Sequence, residues 1–278
     1  MGERLLNTTA TVTIARNGRL EMYRSAANTP AFWEAQWRAA PPLRMRNQPI
    51  PSYFRHLVER YLPRSGRIIE AGCGNGNTLR TFSHAGYTIE GIDFAPDVIQ
   101  ANVAIDPGGL YRVGDVRALP HDTASLDGYI SLGVIEHFDD ATRPQILAEA
   151  ARVLRPGGIA MISTPYFSPL RRGRAALGRD RPRTPAPDPA DFYQFFFSGH
   201  HLRSMLREAG LQPIATDTYD TYKGIKDTIG GKALLDRLRG LGQRAAAVVE
   251  NAPRPIRSLA GHMVIVVARK PGAPPAAG

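Results

Sequence analysis

The sequence predicts an α/β protein built on a doubly wound, mostly parallel sheet. Three observations carry that expectation. From Arg67 onward, short apolar β-type runs alternate with helix-type periodicity. The first run ends in a turn with glycines at Gly72, Gly74 and Gly76. Four separate runs then end in residues that bear chemistry or open the backbone: Glu70, Asp93, Asp115 and Gly133. Strands alternating with helices make a parallel sheet. Ligands bind such sheets beyond the carboxyl ends of the strands, near the switch point.

The elements follow in order. Residues 1–30 carry little pattern and are expected to be partly disordered. Phe32 to Arg38 holds both tryptophans, Trp33 and Trp37, four apart and so on one helix face. That segment reads either as core packing or as a lid over a ligand site. Pro41-Pro42 breaks the chain, and a helix is expected from about Pro51 to Leu62, closed by Pro63. Strand Arg67–Ala71 leads into the glycine turn and a helix to about His84, stopped by Gly86. Strand Thr88–Ile92 meets Asp93-Phe94, and Ala95-Pro96-Asp97 opens a helix to about Ala104. A short strand at Leu110–Val113 leads to Gly114-Asp115-Val116, and strand Leu126–Leu132 to Gly133 and Glu136-His137-Phe138. A helix from Ala141 to Val153 stops at Arg155-Pro156-Gly157-Gly158, before strand Ile159–Ser163.

Residues 165–198 read as a long loop rich in arginine and proline (Arg171, Arg172, Arg174, Arg179, Arg181, Arg183), closed by the aromatic cluster Phe192–Phe197. Ser198 caps a helix to Ala209, followed by strand Gln212–Tyr219. An amphipathic helix is expected at 233–249 and a last strand at Met263–Ala268, before a disordered Pro/Ala/Gly tail at 271–278. The organisation is a 1–48 extension with a possible lid role, a main domain at 49–270, and insertions at 165–198 and 221–260 that cap the substrate.

The glycine turn lets a backbone approach its ligand, because glycine has no Cβ to block it. A dinucleotide turn would read G-x-G-x-x-G, with its third glycine where Asn77 stands. Here the glycines run G-x-G-x-G, and Glu70 lies two residues before the first. A carboxylate there suits a cationic ligand better than a pyrophosphate.

Composition sets the outer bounds. The chain has 278 residues, 43% hydrophobic and 22% charged, enough for one large core or two modest ones. Its net charge of +10 favours anionic partners, namely nucleic acid, phosphorylated metabolites or a membrane surface, unless it reflects a general arginine-rich bias. A single cysteine, Cys73, excludes an internal disulfide and fits a reducing compartment. No run reaches the roughly 18–20 apolar residues of a membrane span. A soluble cytoplasmic protein is expected, with peripheral membrane contact left open and no metal site.

The residues Glu70-Ala-Gly72-Cys-Gly74-Asn-Gly76, Gly91-Ile-Asp93-Phe94, Gly114-Asp115-Val116, Val134-Ile-Glu136-His137-Phe138 and Leu154-Arg-Pro156-Gly157-Gly158 resemble the class I S-adenosylmethionine (SAM)-dependent methyltransferase family. The small-molecule subgroup, of the ubiquinone-biosynthesis kind, is the most similar. The resemblance covers roughly residues 50–270. It implies a Rossmann-like seven-stranded sheet, order 3-2-1-4-5-7-6, with the last strand antiparallel. It implies SAM as methyl donor and a transferase acting on an O, N or C atom of a small-molecule acceptor. On this resemblance Gly72, Cys73 and Gly74 lie along the methionine moiety, with Glu70 beside its cationic end. Asp93 takes the ribose hydroxyls, and Phe94 packs on the adenine or simply joins the core. Asp115 and the Val116 N–H read the adenine edge, and Leu132 and Gly133 line the methionine end. Each acid has a plainer reading as a loop or helix cap.

His137 is the candidate base, since a neutral imidazole takes a hydroxyl proton near pH 7; it also reads as a packing residue. His200 and His201 fall in the first turn of a helix, and Glu136 reads as orienting the loop. The Arg-rich loop suggests a phosphorylated, glycosyl or lipid-linked acceptor gripped by Arg171, Arg172 and Arg174, or an ordinary solvated basic loop. A nucleic-acid substrate is unlikely, because the segment after the fourth strand reads Gly133-Val-Ile-Glu136 where base-modifying enzymes carry an Asp/Asn-Pro-Pro-aromatic motif. The other alternative is a non-catalytic binding protein on the same fold. The acceptor and the oligomeric state stay open.

Overall fold

A computed structural model describes residues 12–24, 29–39, 52–178, 188–229, 249–250 and 252–272. The expected helix at 233–249, except its last residue, and Arg179, Arg181 and Arg183 lie outside the described residues. The elements are β1 (Val12–Arg16), β2 (Arg19–Tyr23), α1 (Pro30–Ala39), α2 (Ser52–Tyr61), β3 (Ile68–Ala71), α3 (Asn77–His84), β4 (Ile89–Asp93), α4 (Pro96–Ile105), β5 (Leu110–Val113) and β6 (Leu126–Leu132). A 3-10 turn at Ile135–His137 leads to α5 (Arg143–Val153), β7 (Leu154–Pro165), α6 (Pro169–Ala176), β8 (Phe192–Phe196), α7 (Gly199–Glu208), β9 (Gln212–Tyr219), α8 (Thr221–Ile229), α9 (Arg254–Ala260) and β10 (Met263–Arg269).

The main sheet runs β5-β4-β3-β6-β7-β10-β9. β3 to β7 pair in parallel, and β10 runs antiparallel to both β7 and β9. This is the expected seven-strand order. Alternation along the strands separates two cores. Ile69, Tyr129, Ile162, Val264 and Val266 pack under α5 and α7. Ile68, Ile130, Met161, Ile265 and Val267 pack under α2 and α3, against Phe54, Leu57, Leu79 and Phe82. Each such aliphatic side chain stabilises by about 1.5–3 kcal/mol on full burial. The central strands β3, β6 and β10 are buried on both faces, which is why they read as near-continuous apolar runs, while the edge strand β5 is largely exposed.

Two regions depart from expectation. Residues 12–23, expected to be irregular, form an antiparallel hairpin with β1 on β2. Asn17 (φ 51°) and Gly18 (φ 71°) make its turn; Asn-Gly is the pair that tolerates left-handed backbone at both central positions of a two-residue hairpin. Residues 165–198 are not one long loop. Ser168 caps α6 by accepting the Arg171 N–H, and Pro169 begins the helix. The aromatic cluster is a strand, β8, paired with β2 in a second sheet of order β1-β2-β8. Strand β7 also starts earlier than expected, at Leu154, with the Gly157-Gly158 step absorbed as a register irregularity.

Candidate active site

The carboxyl ends of β3, β4 and β6 and the residues just after them converge on a cavity of about 1080 Å³. All eleven residues predicted for the site line it: Glu70, Gly72, Cys73, Gly74, Asp93, Phe94, Asp115, Val116, Leu132, Gly133 and His137.

The glycine turn is held by a buried polar network. Asp93 Oδ2 accepts the Gly74 N–H at 2.8 Å, and Oδ1 accepts the Ala95 N–H at 3.1 Å. Asn102 Nδ2 donates to the Gly74 carbonyl at 2.8 Å. Arg80 donates to the Asn75 carbonyl at 2.6 Å, to Asn77 Oδ1 at 2.8 Å and to Asn102 Oδ1 at 3.2 Å. The turn is therefore rigid before any ligand arrives. Gly72 has φ 79°, and a Cβ there would lie 2.5 Å from Val134 Cγ2. At Gly74 a Cβ would lie 2.6 Å from Trp37 Cζ2, so the indole rests against the turn itself.

Asp93 thus acts as a cap, with the backbone N–H groups of Gly74, Ala95 and Phe94 on its carboxylate, and it also lines the cavity. Burial raises its pKa, opposed by its backbone N–H donors. Glu70 is 3% exposed. Burial pushes its carboxyl up to about 8, against the Thr78 hydroxyl and Leu79 N–H beside it, and Oε2 has no hydrogen-bond partner. Asp115 is held by Arg117, whose Nη2 lies 2.6 Å from Oδ2 and whose backbone N–H donates to Oδ1; those hydrogen bonds lower its pKa. Phe94 is 42% exposed, which removes its reading as core. Cys73 is buried, and burial raises its thiol pKa, so it fills space in the turn.

His137 sits at the turn after β6. Its Nδ1 lies 2.8 Å from the Tyr193 carbonyl, which can only accept, so Nδ1 carries the proton and Nε2 is the basic nitrogen. Burial holds its pKa down at about 4. Its ring packs edge-on to Trp33 at 4.6 Å and against Tyr193 at 5.1 Å. Glu136, also buried, is pushed up to about 8 by desolvation, and its Oε1 lies 3.9 Å from His137 Nε2. His201 lies in the first turn of α7 under the Ser198 cap, as expected.

The other half of the cavity comes from β2, which sequence reasoning passed over, and from the tryptophan and Phe192–Phe197 segments, which it read only as a possible lid or cap. Arg19, Glu21 and Tyr23 line it from β2, Phe192, Tyr193 and Phe195 from β8, and Trp33, Gln36 and Trp37 from α1. A signal existed. Arg19-Leu20-Glu21-Met22-Tyr23 alternates with period two; Leu20 packs in a small cluster with Phe167 and Phe196, with Met22 against it, and the other three residues face the cavity. Arg19 is bound bidentately by Asp140 at 2.6 and 2.8 Å, and Tyr23 OH donates to Glu21 Oε2 at 2.8 Å.

The arginines expected to grip an acceptor are elsewhere. Arg171 is buried, donates to the Tyr166 carbonyl and contacts His262 Nδ1 at 2.8 Å. Arg174 donates to the Thr228 carbonyl at 2.9 Å, and Arg172 lies over the Phe167 ring. None of the three lines the cavity. They stand in α6, where carbonyls and rings of the fold occupy them.

A seven-stranded sheet of this order, with a glycine turn and acidic strand ends around one cavity, defines the SAM-dependent methyltransferase class. Residues 45–216 match the family model described as a methyltransferase domain, and the chain belongs to that family. A ubiquinone biosynthesis O-methyltransferase of Xanthomonas axonopodis pv. citri is 28% identical over 201 residues, 69% of this chain and 80% of the relative. A probable S-adenosylmethionine-dependent methyltransferase of Mycolicibacterium smegmatis is 31% identical over 190 residues, 67% of this chain and 64% of the relative. Among solved structures, Burkholderia thailandensis 1,6-didemethyltoxoflavin-N1-methyltransferase, with its substrate and S-adenosylhomocysteine bound, shares the fold. It matches at TM-score 0.53 and 17% identity over 94% of this chain and 99% of that one. The chain is a SAM-dependent methyltransferase. Its own residues fit that cofactor: a glycine turn whose backbone lines the cavity, and a buried carboxyl oxygen with no protein partner, suited to a cation. No described helix is long and apolar enough to cross a membrane.

Proposed function

We propose that the protein methylates a small planar acceptor, neutral or cationic, held in the aromatic half of the cavity. The observation that carries this reading is the cavity's charge. Its lining holds five carboxyl groups, Glu21, Glu70, Asp93, Asp115 and Asp139, against two guanidiniums, Arg19 and Arg117. Both guanidiniums are paired, to Asp140 and Asp115. With Glu70 mostly protonated at neutral pH, four carboxylates face two guanidiniums, and the resulting net charge of −2 repels the anionic acceptor that the chain's overall charge suggests. The rings of Tyr23, Trp33, Phe192, Tyr193 and Phe195 offer flat apolar walls instead.

Bound SAM supplies an electrophilic methyl group on its sulfonium. The chain's residues do the rest by position and by proton handling. Gly72, Gly74, Leu132 and Gly133 would hold the methionine part, Asp93 would accept the ribose hydroxyls, and Phe94, Asp115 and the Val116 N–H would hold the adenine. His137 Nε2 takes the acceptor's proton, in the tautomer fixed by the Tyr193 carbonyl. Residues 49–270 form the methyltransferase domain. β2 and α1 of the extension 1–48 and β8 of the insertion 165–198 form its cap, whereas the insertion 221–260, expected to cap the substrate, contributes no described residue to the cavity wall. The buried free thiol of Cys73 fits a reducing cytoplasm.

The test is methyl transfer from labelled SAM to two panels, one of hydroxylated and amino aromatics, the other of phosphorylated sugars and nucleotides. The first panel is expected to be labelled. Preferential labelling of the second would overturn the acceptor reading and leave the donor site standing.

A further inference from the structure

The cavity does not use the positive charge of this chain, and much of that charge lies on three helices. α6, α8 and α9 carry seven basic residues and one acidic residue, Asp227, a net +6 of the chain's +10. The three pack together. Arg174 of α6 donates to the Asp227 and Thr228 carbonyls of α8. Gly224 of α8 sits so close to α9 that a Cβ would lie 1.9 Å from the Ala260 carbonyl oxygen. Topology also fixes which edge of the sheet they occupy. α6 follows the carboxyl end of β7, α8 follows the carboxyl end of β9, and α9 precedes β10. Pro165, Met263 and Tyr219 are paired across the sheet there. The carboxyl ends of β3, β4 and β6, parallel to β7, open into the cavity at the same edge.

This cluster also exposes large apolar side chains. Leu177, just after α6, is 77% exposed, and Ile256 and Leu259 on α9 are 48% and 50% exposed. Ile256 and Leu259 are three apart, on one helix face. Arg172 and Arg254 are exposed beside them, while Arg171 and Arg257 are taken up by His262 and Asp217. Exposed aliphatic side chains among basic ones are what an anionic bilayer rewards: each Lys or Arg near such a surface strengthens binding roughly fivefold, and apolar side chains enter the boundary between headgroups and acyl chains. A nucleic acid would reward the charge and leave the aliphatic groups in water.

We propose that the α6–α8–α9 face docks on an anionic lipid bilayer and brings the cavity's edge of the sheet to the membrane. The test is co-sedimentation of the full chain with vesicles of phosphatidylcholine alone and with about one-quarter phosphatidylglycerol. Binding to the anionic vesicles is expected to be at least tenfold tighter and to fall with added salt. The variant Leu177→Ser/Ile256→Ser/Leu259→Ser is expected to lose about tenfold or more, with SAM affinity and thermal unfolding unchanged. Leu177→Ser alone, at a fully solvated helix end, gives the same direction if the triple variant folds poorly. Arg172→Gln/Lys226→Gln is expected to weaken anionic binding up to about 25-fold and leave binding to neutral vesicles as it was. Equal binding to both vesicle types, none to either, or binding indifferent to the serine variants would overturn the proposal. Retention on duplex DNA that the serine variants keep and the glutamine variant loses, without vesicle binding, would assign the face to nucleic acid.

Discussion

The ligand cavity and the α6–α8–α9 face differ in sign, in exposure and in the kind of apolar group they present. The cavity lining is formally −3, and its walls are aromatic, with Tyr23 and Phe195 buried and Trp33, Phe192 and Tyr193 half-buried. The helices carry a formal +6, part of it neutralised by Asp217 and withdrawn with the buried Arg171, and their exposed apolar groups are aliphatic and turned to water. Both lie at one edge of one sheet. Overall charge therefore misleads about the substrate: the +10 of the chain describes a surface, and the chemistry happens in a pocket of the opposite sign. The difference is mechanical as well. In the cavity every cation is paired before a ligand enters, as Arg19 is with Asp140 and Arg117 with Asp115. On the helices Arg172 and Arg254 are exposed, and among the described residues their contacts are the Phe167 ring and the Thr216 carbonyl, with no carboxylate.

The largest effect that sharpens this contrast is expected at His137. If the cavity works by taking a proton from a neutral acceptor, His137→Asn should lower kcat by about 10²–10⁴. SAM affinity should stay within about threefold, because the imidazole contacts Trp33 and Tyr193 and not the glycine turn. Single-turnover kinetics with a saturating acceptor measures the first, and calorimetric titration the second. An unchanged kcat would make His137 a packing residue and leave methyl transfer to positioning alone.

Glu70 tests the sign of the cavity directly. Burial holds its carboxyl at about 8, so in the free protein it is mostly protonated at pH 7. A bound sulfonium or ammonium favours the ionised form, so SAM binding should release a proton, and affinity should rise with pH up to about 8. Glu70→Gln should bind SAM with an affinity that no longer depends on pH over that range, weaker than the native protein at pH 8 by up to about tenfold. The stability effect has the opposite slope. The native carboxyl keeps its proton between its unfolded value, near 4.5, and about 8, so this group's contribution to stability falls as pH rises through that window. Thermal melts of native protein and Glu70→Gln across pH 5–9 should diverge accordingly; parallel curves would place the raised titration on another group.

That the strand-end residues Glu70, Asp93, Asp115 and Gly133 gather at one cavity was legible in the sequence, because each is a single residue that ends an apolar run. A glycine pair that needs left-handed backbone, and acids that end apolar runs, keep their meaning without neighbours. The acceptor half was not legible for the converse reason. Arg19, Glu21 and Tyr23 acquire a role only when β2 pairs with β8, some 170 residues away, and that pairing leaves just a five-residue alternation in the sequence. A local clue, Asn17-Gly18 between two β-type runs, stands within residues 1–30, a stretch with otherwise little pattern. The arginines misled for a related reason. An isolated Arg-Arg-Gly-Arg string looks solvated, and nothing local says that a carbonyl at Tyr166 and a histidine at 262 will take up Arg171.

The smallest effect is expected at Arg19, and it can break the contrast outright. Its guanidinium bridges Asp140 and lies 4.1 Å from the centroid of the Phe195 ring, so it ties the β1-β2-β8 sheet to the start of α5. Asp140 is 61% exposed, which screens the pair, so Arg19→Ala should cost only about 1–2 kcal/mol of stability, including the lost ring contact. Hydrogen bonding to Arg19 lowers the Asp140 pKa, so this contribution is present at neutral pH and is lost as pH falls through that lowered value. With the acceptor wall loosened and the glycine turn untouched, the acceptor KM should rise a few-fold while SAM affinity holds. An arginine that recognised an anionic acceptor would behave differently. Its removal would abolish turnover of that acceptor and leave the melting temperature nearly unmoved, because the binding role would outweigh the structural one. Steady-state kinetics and a thermal melt of the same variant therefore decide whether the one guanidinium on the acceptor side of the cavity is a brace or a receptor.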